Sequence, residues 1–172
     1  MGLKDKLGSS YSNVKEKIKF RKIIIKYDDY EFDLTVRIPL KHEMEDLIAD
    51  ISLPNETRAK ELFEKYANPI RKSVEEGGED FLSVVNKEKE YIVINDDDII
   101  LDGNSVKQVA NLTSMWEKKV VRYFHLLKSE TDVPIDETFE QIVEEFSEPI
   151  VKLIVDERDK AIKPDYNTVK KN

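Results

Sequence analysis

Residues 19–39 read KFRKIIIKYDDYEFDLTVRIP, and no other stretch limits the fold as much. Phe20 to Tyr27 is dense in β-branched and aromatic residues. After Asp28-Asp29, the apolar residues Tyr30, Phe32, Leu34, Val36 and Ile38 alternate with polar ones. Alternate side chains of a strand share one face, so period two after a two-residue acidic break predicts an antiparallel hairpin. Asp-Asp is a poorer turn than Asp-Gly, whose glycine accepts positive φ freely. Pro39 lacks the N–H needed to continue a ladder and ends the second strand.

The period then changes. Leu40, Met44, Leu47, Ile48 and Ile51 follow helical spacing up to Pro54. Asn55 is placed to cap a second helix, with Ala59, Leu62, Phe63, Tyr66, Ala67, Ile70 and Val74 on one face and Gly77-Gly78 at its end. Pro69 inside that run predicts a kink. YIVINDDDIILDG predicts a second hairpin, with strands over 91–94 and 99–101. Residues 104–129 predict the longest helix, on a heptad-like stripe of Val106, Val109, Thr113, Trp116, Val120, Tyr123 and Leu127. Asp136 is the expected cap of a last helix presenting Phe139, Ile142, Val143 and Phe146, with a kink or restart at Ser147-Glu148-Pro149. Ile150, Leu153 and Ile154 continue its apolar face towards Pro164.

These elements predict an α+β fold: one or two N-terminal β-hairpins packed on a mostly α-helical body with a C-terminal αα-hairpin. The expected organisation is a flexible arm over 1–17, holding Gly8-Ser9-Ser10 and at most a short helix, a single α+β domain over 18–163 whose second half, 104–163, is helix-rich, and a polar tail over 164–172.

Charge excludes several functions. Of 172 residues, 37% are charged and the net charge is −8. Residues 1–41 hold 10 Lys/Arg against 6 Asp/Glu, and the remainder holds 18 against 30. Phosphate binding needs concentrated positive charge, so nucleic acid is not expected as the main partner. Cysteine is absent, which fits a reducing cytoplasm and removes thiolate metal sites. No apolar run approaches the length of a membrane span, and no apolar stretch follows the N-terminal lysines as in a secretory signal.

The acidic run NDDDIILDG, residues 95–103, is the strongest hint of chemistry. A calcium loop of the EF-hand kind needs glycine at its sixth position and glutamate at its twelfth. Counting from Asp96, position six is Leu101 and the glutamate is missing. Asp96 and Asp98 match the paired acids of haloacid-dehalogenase phosphatases superficially, without the repeated β-α pattern that fold requires. We expect a solvated turn in which Asp96, Asp97 and Asp98 keep water as their main partner. Gly103 then provides a flexible exit, and Asp102 or Asn104 caps the next helix. HEMED, residues 42–46, lacks the second histidine of a zinc-protease helix. His125 reads as a helix-surface residue. The expectation is a protein that is not an enzyme and has no catalytic residue, metal or cofactor.

The remaining constellation is aromatic and apolar: Trp116, Tyr123, Phe124, Leu127, Phe139, Ile142 and Phe146, on the two C-terminal helices. At helical spacing such residues form either core or a seam that receives a partner helix. Both readings stay open on sequence alone.

The hairpin strand FDLTVRIP, the helical body, the acidic amphipathic segment DETFEQIVEEF and the polar tail resemble, in layout, the tail assembly chaperones of long-tailed bacteriophages. That resemblance implies a non-enzymatic protein of the host cytoplasm that oligomerises. It would bind and solubilise the tape measure protein and recruit tail tube subunits. A structural tail or connector protein retained in the virion, and a hydrolase or nuclease using the acidic cluster, are the other classes. Such chaperone genes are often read with a ribosomal frameshift near the end of the first frame. Lys170-Lys171-Asn172 can be encoded AAA AAA AAY, which contains a slippery heptanucleotide. Expression of the native gene with its downstream region should therefore give a second, longer product on an immunoblot. Synonymous AAG codons at Lys170 and Lys171 should remove it, and a single band near 20.1 kDa refutes the mechanism.

Overall fold

The computed structural model describes residues 2–162, so the expected tail over 164–172 lies outside the described residues. In chain order the elements are α1 (Leu3–Lys6), α2 (Gly8–Ile18), β1 (Phe20–Tyr27), β2 (Tyr30–Arg37), α3 (Lys41–Ile51), α4 (Glu56–Glu76), α5 (Phe81–Val85), β3 (Ile92–Ile94), β4 (Ile99–Leu101), β5 (Asn104–Ser105), α6 (Val106–Phe124), α7 (Phe139–Glu145) and α8 (Glu148–Ile162). The fold is α+β, with an N-terminal β-hairpin and a mostly helical body. Among the described residues the chain forms two compact units: residues 2–48 with 120–162, and residues 49–119.

The first unit is built on the β1–β2 hairpin. Its register runs from Phe20↔Arg37 to Tyr27↔Tyr30, so Asp28-Asp29 is the two-residue loop, with Asp28 at φ 51. Aspartate is among the few non-glycine residues that enter this region readily. One face of the hairpin carries the Ile23↔Leu34 and Ile25↔Phe32 pairs, with Val36 further along it. Ile23, Ile25 and Val36 are buried in a core shared with Leu47, Val120, Tyr123, Phe124, Ile142, Val151, Ile154 and Val155. The segment expected as an arm is helical over α1 and α2, with Gly8, the first residue of α2, at φ 79.

The C-terminal part departs from a simple αα-hairpin. After α6 the chain runs through 125–138 without helix, and α7 ends at Glu145 before α8 restarts at Glu148. The cap of α7 is Thr138, not Asp136. Thr138 accepts from the N–H of Gln141, whose side chain accepts from the N–H of Thr138. This reciprocal pair satisfies two otherwise orphaned donors. The restart at α8 follows expectation, with the Ser147 carbonyl accepting from Ile150 and Val151.

The second unit packs α4 and α6 with the β3–β4–β5 sheet. Asn55 caps α4 as expected, its Oδ1 accepting from Arg58 N at 3.0 Å. Pro69 lies inside the continuous α4, and Gly78 (φ 77) follows its end. Ala67, Ile99 and Val106 form a buried cluster with Phe63, Tyr66, Ile70 and Leu101 against it. The buried side of α6 is rotated from the expected stripe. Val109 is 45% exposed, and Ala110, Ser114 and Glu117 are buried in its stead. Small residues permit close helix packing, which a count of large apolar residues does not detect.

Glu117 is 8% exposed and is held by a forked pair: Arg58 Nε donates to its Oε2 at 2.7 Å and Nη2 to its Oε1 at 3.0 Å. Two parallel bonds fix α4 against α6 in orientation as well as distance. Removing one partner strands the other charge. Arg58→Ala should destabilise this unit by about 2–3 kcal/mol, less than a fully buried pair because Arg58 is a third exposed. Replacing both residues with Met and Leu should cost less than that. Urea denaturation of the three variants measures the order.

Candidate functional site

The acidic turn is not a uniformly solvated loop. Asp98 is half-buried and fully engaged. Its Oδ2 accepts from the Ser105 hydroxyl at 2.6 Å, and its Oδ1 accepts from the N–H groups of Ile99 at 2.8 Å and Lys107 at 2.9 Å. Ser105 Oγ in turn accepts from Gln108 N at 2.9 Å. Ser105 immediately precedes α6, so Asp98 and Ser105 satisfy two donors of its first turn. The cap is thus Ser105 aided by Asp98 from the β3–β4 connection, and neither Asp102 nor Asn104. Partial burial raises the Asp98 carboxyl. The Ser105 hydroxyl and the Lys107 and Ile99 N–H groups outweigh it and hold the group below its usual 3.8. Asp97 makes only an exposed pair with Lys107 at 3.0 Å.

Asp102-Gly103 is a turn rather than a loose exit. Leu101 pairs with Asn104, and Asp102 (φ 49) and Gly103 (φ 79) both sit in the left-handed region. This is the primed turn that Asp-Gly favours, a signal that the expectation of a flexible exit overlooked. Lys89 Nζ donates to Asp102 across this corner. Among the described residues, no group of three or more His, Asp or Glu could hold a metal ion.

The aromatic seam divides. Trp116 belongs to the second unit, half-buried on α6. The other six belong to the first. Tyr123 is core: its hydroxyl donates to the Asp159 carboxylate, and burial followed by that carboxylate raises its pKa. Phe124, Leu127, Ile142 and Phe146 come together with Leu34, Ile135 and Ile154 around an apolar groove of about 210 Å³. Phe139 is half-buried on α7 and does not line it.

Three devices shape this groove. The chain leaving α6 docks on β2: Arg37 N donates to Leu126 O at 2.8 Å, Lys128 N donates to Thr35 O at 2.7 Å, and Val36 and Leu127 form a β-bridge. His125 Nε2 lies 2.9 Å from the Glu137 carbonyl, which closes the 125–138 loop. The Phe124 and Phe146 rings meet edge to face, with centroids 5.6 Å apart. Lys128, Glu137, Gln141 and Glu145 complete the lining. The volume is below the about 300–1,000 Å³ of small-molecule sites and suits one or two large apolar side chains.

Asp98→Asn should cost about 1–3 kcal/mol, whereas Asp96→Asn should stay within about 0.5 kcal/mol of wild type. Because the folded Asp98 titrates below its unfolded value, its stabilisation is complete above about pH 4. It is lost as pH falls through the folded value. Urea midpoints should thus separate wild type from Asp98→Asn at pH 7 and converge in strong acid. No family model, curated protein or solved structure matches the chain.

Proposed function

We propose that this protein is a non-enzymatic assembly chaperone of the phage tail kind. It binds apolar helical stripes of the tape measure protein, keeps that protein soluble in the host cytoplasm and helps recruit tail tube subunits, working in several copies. The observation that carries the reading is the groove of Phe124, Leu127, Ile142 and Phe146, which is shaped for large apolar side chains projecting from a helix. A long chain with uncovered apolar stripes aggregates, and covering it with binders of net charge −8 adds mutual repulsion between complexes. The layout of hairpin, helical body and acidic amphipathic segment supports the same assignment.

The test is the soluble yield of the tape measure protein from the same gene cluster when the two are co-expressed. Wild type should keep the tape measure protein in the supernatant. Leu127→Glu and Phe146→Lys should lose it while their far-ultraviolet circular dichroism stays native, because each places a charge where an apolar side chain docks. Rescue by both variants as efficient as by wild type refutes the groove as the binding site. Recovery of the protein from finished particles would favour the retained structural class.

A further inference from the structure

The hairpin has two outer edges, and they are not equivalent. On β2, Thr35 O and Arg37 N point away from β1, since they bond to residues 128 and 126. In an antiparallel pair, opposite residues direct their backbone groups the same way, inward or outward, and the two kinds alternate. Thr35 faces Lys22, Asp33 faces Ile24 and Glu31 faces Lys26. Lys22, Ile24 and Lys26 therefore turn their N–H and C=O groups away from β2. Among the described residues these groups have no partner. Part of the β2 edge is filled, and the β1 edge is open.

That edge faces a groove of about 560 Å³ whose other wall is α8. Leu153, Glu157, Lys160 and Ala161 line it from one face of the helix. Residues from both faces of β1 line it too, namely Arg21 and Ile23 from one and Lys22, Ile24 and Lys26 from the other, as befits a strand seen edge-on. Arg21 Nη1 donates to the Ala161 carbonyl at 2.8 Å and ties β1 to the last turn of α8. Ile24 is 46% exposed.

We propose that this groove accepts an extended segment of a partner protein as an added antiparallel or parallel strand on β1, with acidic residues alternating with apolar ones. The lining holds four cations, Arg21, Lys22, Lys26 and Lys160, against the one carboxylate of Glu157, which pairs with Lys160, in a chain whose net charge is −8. Lysines on an edge repel basic strands and lose hydration without compensation beside neutral ones, which favours an acidic strand. The pairs Lys22–Asp33 and Lys26–Glu31 are exposed, so an incoming carboxylate displaces them at little cost. A phosphate backbone would meet the cations but would leave the outward carbonyls of β1 unsatisfied. A polypeptide strand satisfies donors and acceptors alike. This site is separate from the apolar groove and does not depend on it.

The experiment titrates the full chain with a capped peptide of the same eight-residue length as β1, alternating valine with glutamate. Amide hydrogen exchange is read residue by residue. Saturating peptide should slow exchange at Lys22, Ile24 and Lys26 by at least about tenfold and leave the already paired Ile23 and Ile25 unchanged. Ile24→Pro removes only an outward N–H, so it should keep the hairpin and weaken binding at least about tenfold. If Ile24→Pro fails to fold, a peptide N-methylated at alternate residues supplies the same test on wild type, and Lys26→Glu should weaken binding of the unmodified peptide. Three results overturn the proposal: protection appearing elsewhere or not at all, a thymidine oligonucleotide protecting the same amides as well as the peptide does, or sedimentation showing that the edge is occupied by a second copy of the chain.

Discussion

A two-stranded hairpin in water is marginal on its own, and the bonds that residues 126–128 make to the outer edge of β2 meet that deficit. Arg37 N to Leu126 O and Lys128 N to Thr35 O extend the hairpin by a short third segment and bring the end of α6 against its apolar face. Much in the first unit follows. Phe124 and Leu127 are aimed at the space that α7 then roofs with Ile142 and Phe146. The asymmetry of the hairpin follows too, because the covered part of one edge leaves the opposite strand as the place where backbone groups remain open.

Beneath the hairpin lies a costly element. Arg158 on α8 is 0% exposed; Nη2 donates to the Arg37 carbonyl at 3.2 Å, and the guanidinium sits 5.4 Å from the Tyr123 ring centroid. Its Nε and Nη1 have no partner among the described residues. Burial pushes its pKa down to about 10, so it stays charged at neutral pH. A leucine would fill such a position at lower cost in desolvation. The arginine instead ties the docking of α8 to two landmarks at once, a carbonyl of β2 and an aromatic ring of α6.

Local pattern made the first hairpin legible, since the β-rich run up to Tyr27, the two-residue Asp28-Asp29 break and the alternation from Tyr30 place Tyr27 opposite Tyr30. It also placed α3, α4 and the Asn55 cap. The reading failed where partners come from outside the local window. The engagement of Asp98 depends on Ser105 and Lys107, which a primed turn at Asp102-Gly103 brings back beside it. Asp-Gly was there to be read, but a turn shows its consequence only once both flanking strands are drawn. The seam around Phe124 was half visible. Helical spacing groups Trp116 with Tyr123, while the division into units separates them and the Asp159 hydrogen bond takes Tyr123 into the core. The pairing of residues 126–128 with β2 has no periodic signature, so the open edge of β1 could not be inferred without the structure.

The first unit is assembled from two stretches of chain with the whole second unit, residues 49–119, between them. On a ribosome, where synthesis runs at about 5–20 residues per second, β2 emerges seconds before Leu126 to Lys128 can reach it. During that interval the nascent hairpin offers two bare edges and an uncovered apolar face. The intervening unit is continuous in sequence, and its last residue, Lys119, emerges only shortly before Leu126. Birth order thus makes the hairpin the late and vulnerable step. The charges along it, Lys22, Lys26, Glu31 and Asp33, guard its edges against neighbouring nascent chains until the C-terminal segments arrive.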